Sequence, residues 1–145
     1  MRGIIFNPDP YHAFPPGVRA DREGGYLEWD TGQAYRFAIL TAIRFLDERA
    51  CALIDRTGTS IAEWYPEIAV LGRAPRDHTM WLYKLEVFTV DKQLAGDAVS
   101  IADNAQDFRA RVFDSFDDLE LECAQEFGIR PEDFVPRAET NYPSD

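Results

Sequence analysis

Carboxylates carry the densest potential chemistry in this sequence. Asp114, Asp117, Asp118, Glu120, Glu122 and Glu126 crowd into residues 114–126. On a helix, Asp118 with Glu122 and Glu122 with Glu126 are like-charged neighbours four residues apart, each pair costing roughly 0.2–0.5 kcal/mol. Glu126 also opposes the negative end of such a helix. Two readings account for a locally unfavourable arrangement of this kind. It is a solvated outer face kept soluble by its charge, or it is a surface whose counter-charge comes from a basic protein partner that it steers into contact. A cation site is the weakest alternative, because no Asp-x-Asp-x-Asp-Gly loop is present.

Other reactive side chains are scattered. Cys51 and Cys123 form no Cys-x-x-Cys pair, and His12 and His78 are isolated, so no zinc spacing exists and no metal is expected. None of Ser60, Ser100, Ser115 or Ser144 lies in a Gly-x-Ser-x-Gly elbow. Glycine-rich phosphate cradles of the P-loop and dinucleotide types are absent too, so no cofactor is expected. His12 beside Tyr11 has the right chemistry for a general base, but spacing names no carboxylate or nucleophile to work with it. Trp64-Tyr65-Pro66, at the end of an expected strand, supplies aromatic anchors of the kind found at interfaces.

Charge narrows the classes of partner. The chain has 145 residues and a formal charge of −11. Residues 1–90 hold 10 basic and 12 acidic side chains, whereas residues 91–145 hold 5 and 14. The acidity therefore belongs to the last third. A pI near 4.5 without a Lys/Arg stripe lacks the electrostatic attraction that dominates nucleic-acid affinity, so direct DNA or RNA binding is not expected. Apolar runs such as Phe37–Leu40 and Ile68–Leu71 fall far short of the roughly 20 residues needed to span a membrane. The opening MRGIIFNPDP lacks a signal-peptide core. A cytoplasmic location is the expectation.

The elements that must position these groups follow from periodicity and punctuation. Gly3–Phe6 reads as a strand, followed by a Pro/Gly-rich loop over 7–25 long enough to be a binding loop or lid. Tyr26–Trp29 alternates as a strand. Asp30 with Gln33 resembles a capping box, predicting a helix to about Leu46 that is apolar on most sides. Ala50–Asp55 and Thr59–Trp64 around Arg56-Thr57-Gly58 read as a hairpin, Glu67–Leu71 as a strand, Thr79–Val90 as a long strand and Ala98–Ile101 as a short one. Asp103 with Gln106 predicts a helix through Phe113. Ser115 with Asp118 predicts another over Phe116–Phe127, its inward side being Phe116, Leu119, Cys123 and Phe127, stopped at Gly128. Pro131 opens a last helical turn, and 135–145 reads as an irregular surface tail. Together these give one α+β domain with a mostly antiparallel sheet of about five strands and about three helices.

The run Gly25–Trp29, the following segment with Ala34, Tyr35, Phe37 and Ala38, and the later strand Trp81–Val87 resemble the strand–helix–strand layout of small ADP-ribosyltransferase-like domains. That resemblance implies a nicotinamide dinucleotide gripped by His12 and Tyr26. It supplies the alternative expectation, a small nucleotide-dependent enzyme with its site under the 7–25 loop. The leading expectation is a small acidic binding protein that neutralises or inhibits a basic protein partner. In charge and size it is similar to bacterial immunity proteins and phage-borne inhibitors. Its contact residues would be Asp114, Asp117, Asp118, Glu120, Glu122, Glu126, Trp64 and Tyr65.

Overall fold

A computed structural model describes residues 13–15, 17–20, 24–46, 48–76 and 79–143. The expected strand Gly3–Phe6, His12, His78 and much of the 7–25 loop lie outside the described residues. The chain forms an α+β fold around one antiparallel sheet. Its strands are β1 (Gly25–Asp30), β2 (Ala34–Arg44), β3 (Trp81–Asp91) and β4 (Gln106–Phe113), in the order β1-β2-β3-β4. Five α-helices accompany them: α1 (Glu48–Thr57), α2 (Ile61–Trp64) and α3 (Glu67–Leu71) between β2 and β3, α4 (Ala98–Asn104) between β3 and β4, and α5 (Phe116–Glu122) after β4. Among the described residues there are thus four strands and five helices where about five and three were expected.

The largest departure is β2. The expected helix from Asp30 to Leu46 is a strand, because an apolar run buried on both faces of a sheet contains no polar alternation to betray it. Phe37 and Ile39 point to one face, Ala38 and Leu40 to the other, and all four are buried. Asp30 does not cap a helix. Its Oδ1 accepts the Gly32 N–H at 2.9 Å, making the turn that folds β1 onto β2. The strand–helix–strand layout behind the ADP-ribosyltransferase-like resemblance is therefore replaced by a β-hairpin. Tyr26 is buried, its ring 5.3 Å from that of Tyr142.

Four further expectations are corrected by the same competition between periods. The 50–64 hairpin is helical, since Ala50, Leu53 and Ile54 recur at the helical i, i+3, i+4 spacing, and Gly58 ends α1 by donating to the Ile54 carbonyl at 2.9 Å. Glu67–Leu71 is α3, with Ile68 and Leu71 packed on the core. Ala98–Ile101 belongs to α4, because the Asp97 side chain accepts the Ser100 N–H at 2.8 Å as a helix N-cap. The helix expected from Asp103 to Phe113 is β4, where Arg109, Arg111 and Phe113 alternate with Ala110 and Val112.

The strands Tyr26–Trp29 and Thr79–Val90 and the turn at Pro131 are found where the sequence put them. So is the helix over Phe116–Phe127. Ser115 caps it, its Oγ accepting from the Asp118 N–H at 3.1 Å, and its last turn, Cys123–Phe127, is π-helical.

The core is split by the sheet. On one face Leu40, Leu85, Phe113 and Phe134 pack beneath Leu119 and Cys123 of α5 and its extension. The other face holds Phe37, Phe88, Val90 and Ile101 towards α4, with Phe45, Tyr65, Leu82 and Val112 under α1–α3 at the opposite end. The segment read as a surface tail is fastened to β1. Val135 exchanges two backbone hydrogen bonds with Tyr26, and Asn141 binds both Glu28 carboxylate oxygens at 2.8 Å.

A close approach at the start of β1 yields a prediction. Gly24 has φ +115°, and a Cβ there would lie 2.3 Å from the Leu40 carbonyl oxygen, whereas Gly32, also at positive φ, faces open space. Gly24→Ala combines backbone strain with a clash against a buried strand, so it should cost about 2 kcal/mol or more. Gly32→Ala meets strain alone and should cost about 1 kcal/mol. Urea midpoints compared for the two variants check this ordering, and equal losses would contradict it.

Candidate functional site

The end of the sheet where β4 runs into α5 gathers most of the acids singled out in the sequence. Asp114 follows the last residue of β4, and its side chain is 0% exposed. Arg73 grips it with two parallel bonds of 2.8 Å, and the Arg76 N–H donates to Oδ2 at 2.7 Å. Burial alone would raise the Asp114 pKa. The Arg73 hydrogen bonds, reinforced by the Arg76 N–H, outweigh it and hold the carboxyl at about 2. Asp114 is therefore committed to fastening the 73–76 loop onto the start of α5.

Three other acids also find cations within the chain. Asp118 lies 2.8 Å from Arg76 Nη1, Glu126 lies 2.8 Å from Arg109 Nη2, and Glu122 lies 3.3 Å from Arg111 Nη2. Because Arg109 and Arg111 are two residues apart on β4, both point to the sheet face that α5 covers. They offset the repulsion between Glu122 and its neighbours on the helix. Asp117 and Glu120 are exposed and make no ion pair among the described residues. They share an outward stripe with Leu121, which is 56% exposed, and with Ala124.

The two aromatic candidates part company. Trp64, at the end of α2, is 40% exposed. Tyr65 is buried against Phe45, with ring centroids 4.9 Å apart. Its hydroxyl accepts from the Leu46 N–H and donates to the Arg44 carbonyl, so it holds the core together and presents nothing to solvent.

Beside this network lies a feature the sequence did not disclose, an apolar cavity of about 430 Å³ walled by Phe45, Leu46, Ile61, Ile68 and Pro75. Arg76 is also part of its wall, and the same guanidinium reaches Asp118. The cavity and the first turn of α5 are thus joined through one side chain. Its walls come from the end of β2, from α2 and α3, and from the 73–76 loop, all but the last having been expected in other secondary structures. The only sequence signal is the pair Arg73 and Arg76 in the connection between Glu67–Leu71 and Thr79–Val90.

Ser60 and Ser115 act as helix N-caps, and Ser100 bonds to Asp97. Cys123 is buried beneath α5, which pushes its thiol up to about 11, and the neighbouring Glu122 and Glu120 act in the same direction. Among the described residues no group of three or more His, Cys, Asp and Glu side chains could hold a metal ion, and no helix is long and apolar enough to cross a membrane. No family model, curated protein or solved structure matches the chain.

Proposed function

We propose that the chain is a small acidic protein that binds and neutralises a basic protein partner. The observation that carries this reading is the junction of an apolar cavity with the first turn of the acidic helix α5 through the Arg76–Asp118 ion pair, on a helix whose Asp117 and Glu120 are exposed and make no ion pair among the described residues. A cavity of this size accepts a bulky apolar side chain as an anchor. Asp117 and Glu120, which pair with no cation among the described residues, add the long-range attraction that steers a positively charged surface into register. Exposed Ile61 and Trp64 extend the apolar contact beyond the cavity mouth. Asp114, Glu122, Glu126 and Asp118 contribute to the negative field, while their arginine partners keep the helix in place.

The test takes the protein retained from native-host extract on the immobilised chain and measures its association with purified wild type and with Asp117→Lys/Glu120→Lys and Trp64→Ala variants. A basic partner is expected, with an on-rate at low salt reduced about tenfold by the double charge reversal. Its salt dependence should flatten in the same variant, and Trp64→Ala should act on dissociation. A retained protein that is not basic, or an on-rate indifferent both to salt and to the charge reversal, would sink the proposal.

A further inference from the structure

At the opposite end of the sheet, the β1–β2 turn, the end of β3, the end of α4 and the start of β4 enclose a second cavity of about 460 Å³. Its character is the reverse of the first. Polar side chains dominate its wall: Gln33, Thr89, Asp91, Asp103, Asn104 and Gln106. Among the described residues no Lys or Arg lines it, and the nearby Lys92 ammonium is already engaged, with both Asp30 carboxylate oxygens at 2.8 Å and the Tyr35 ring 5.0 Å away. The two carboxylates stand on different walls, Asp91 at the end of β3 and Asp103 in the last turn of α4. The Asp103 carboxylate, the Thr89 hydroxyl and the amides of Gln33 and Gln106 make no side-chain hydrogen bond among the described residues. Asn104 donates its amide to the Ser100 carbonyl at 2.8 Å, leaving its own oxygen as an acceptor.

An open cavity offering two carboxylates and several oxygen acceptors, with no cation among its described lining residues, is complementary to a group that is positive and rich in donors. A guanidinium fits this description best, since it is permanently charged and carries five N–H donors in one plane. The cavity is larger than that head group alone and has room for the alkyl chain behind it, with the partly exposed Leu94 on its wall as an apolar contact. We propose that this cavity binds an alkylguanidinium group, with Asp91 and Asp103 as its charge partners and Gln33, Thr89, Asn104 and Gln106 as hydrogen-bonding partners. The site is separate from the α5 stripe and its neighbouring cavity, and does not depend on the partner proposed there.

Agmatine, free arginine and a terminally blocked Gly-Arg-Gly peptide serve as probes, titrated against the full chain by calorimetry and by amide chemical shifts. Agmatine is expected to bind with shifts confined to residues 33–34, 89–94 and 103–106. Free arginine should bind more weakly, because its carboxylate meets the same negative wall. Asp91→Asn/Asp103→Asn should weaken agmatine binding at least tenfold. Asparagine at 91 can still accept the Gln93 N–H, and an unchanged thermal midpoint confirms that the variant is folded. Peptide binding as tight as that of agmatine identifies the source of the group as an arginine on a protein surface, and binding of agmatine alone identifies a free small cation. Absence of agmatine binding at millimolar concentration, shifts centred on α5, or equal affinity in the double variant would each overturn the assignment.

Discussion

Phe37→Ala should remove roughly 3–5 kcal/mol of folding stability, the cost of emptying a fully buried aromatic site. Phe37 is 0% exposed at the centre of β2, with the rings of Tyr35, Phe88 and Tyr142 at 5.7, 5.8 and 5.4 Å. Its partners come from β2 itself, from β3 and from the carboxyl-terminal segment, so no single neighbour can move to fill the hole. Small domains hold a net stability of only about 5–15 kcal/mol, which makes this loss a large share of the whole. Ile43→Ala, at a half-buried position on the same face nearer the strand end, should cost less, about 2 kcal/mol. The check is urea unfolding followed by tryptophan fluorescence. The expected order is a large fall in midpoint for Phe37→Ala and a modest one for Ile43→Ala, and equal midpoints would contradict the deeper burial of Phe37. Tyr142→Ala should share part of the Phe37 loss, because the carboxyl-terminal segment is packed into the same aromatic group.

That segment and β2 show where the sequence was legible. β3 was read correctly because Tyr83, Leu85 and Val87 alternate with Lys84 and Glu86, so period two was visible in the polarity itself. α5 was read correctly because Ser115 is a strong cap and Leu119 and Cys123 keep a helical spacing beneath an acidic exterior. β2 carries no such contrast. As a central strand it is apolar on both sides, and an Asp–Gln spacing in a turn imitated a helix cap. β4 failed for a related reason: Phe108 and Val112 satisfy both periods, and only the pairing of Arg109 and Arg111 with Glu126 and Glu122 displays the true alternation.

The site was half legible on the same grounds. Its acids were visible as composition, but their internal cations were not. Arg109 and Arg111 fall in a segment whose spacing predicts a helix, and nothing in the sequence assigns a target to Arg73 or Arg76. A cavity built from β2, α2 and α3 was beyond reach once those segments had been given other structures. Mispredicted elements and missed partners are thus one error, since a side chain's neighbours follow from the period of the backbone that carries it.

Asp114 offers the sharpest test of how the acidic end is held together. Asp114→Ala should cost about 2–3 kcal/mol near neutral pH, the range of hydrogen bonds to a charged group lost at a buried position. The loss stays below that for breaking a wholly buried pair, because Arg73 and Arg76 are 43% and 52% exposed and regain water once the carboxylate is gone. The same interaction has a pH signature of fixed sign. The folded carboxyl sits at about 2 against an ordinary value of 3.8, so the folded state binds its proton less readily than the unfolded chain. The stabilisation, about 2 kcal/mol, is therefore complete above pH 4 and disappears as the pH falls from 4 towards 2. Urea unfolding of wild type and Asp114→Ala at pH 6, 4 and 2 should show a gap that is widest at pH 6 and nearly closed at pH 2. A constant gap would mean that Asp114 stabilises by packing alone. Hydrogen exchange gives the structural counterpart: the Arg76 amide, bonded to Oδ2, should lose protection in the variant and in acid together. Since the 73–76 loop walls the apolar cavity, Asp114→Ala should also weaken partner binding at neutral pH, with the Asp117 and Glu120 surface unaltered in sequence.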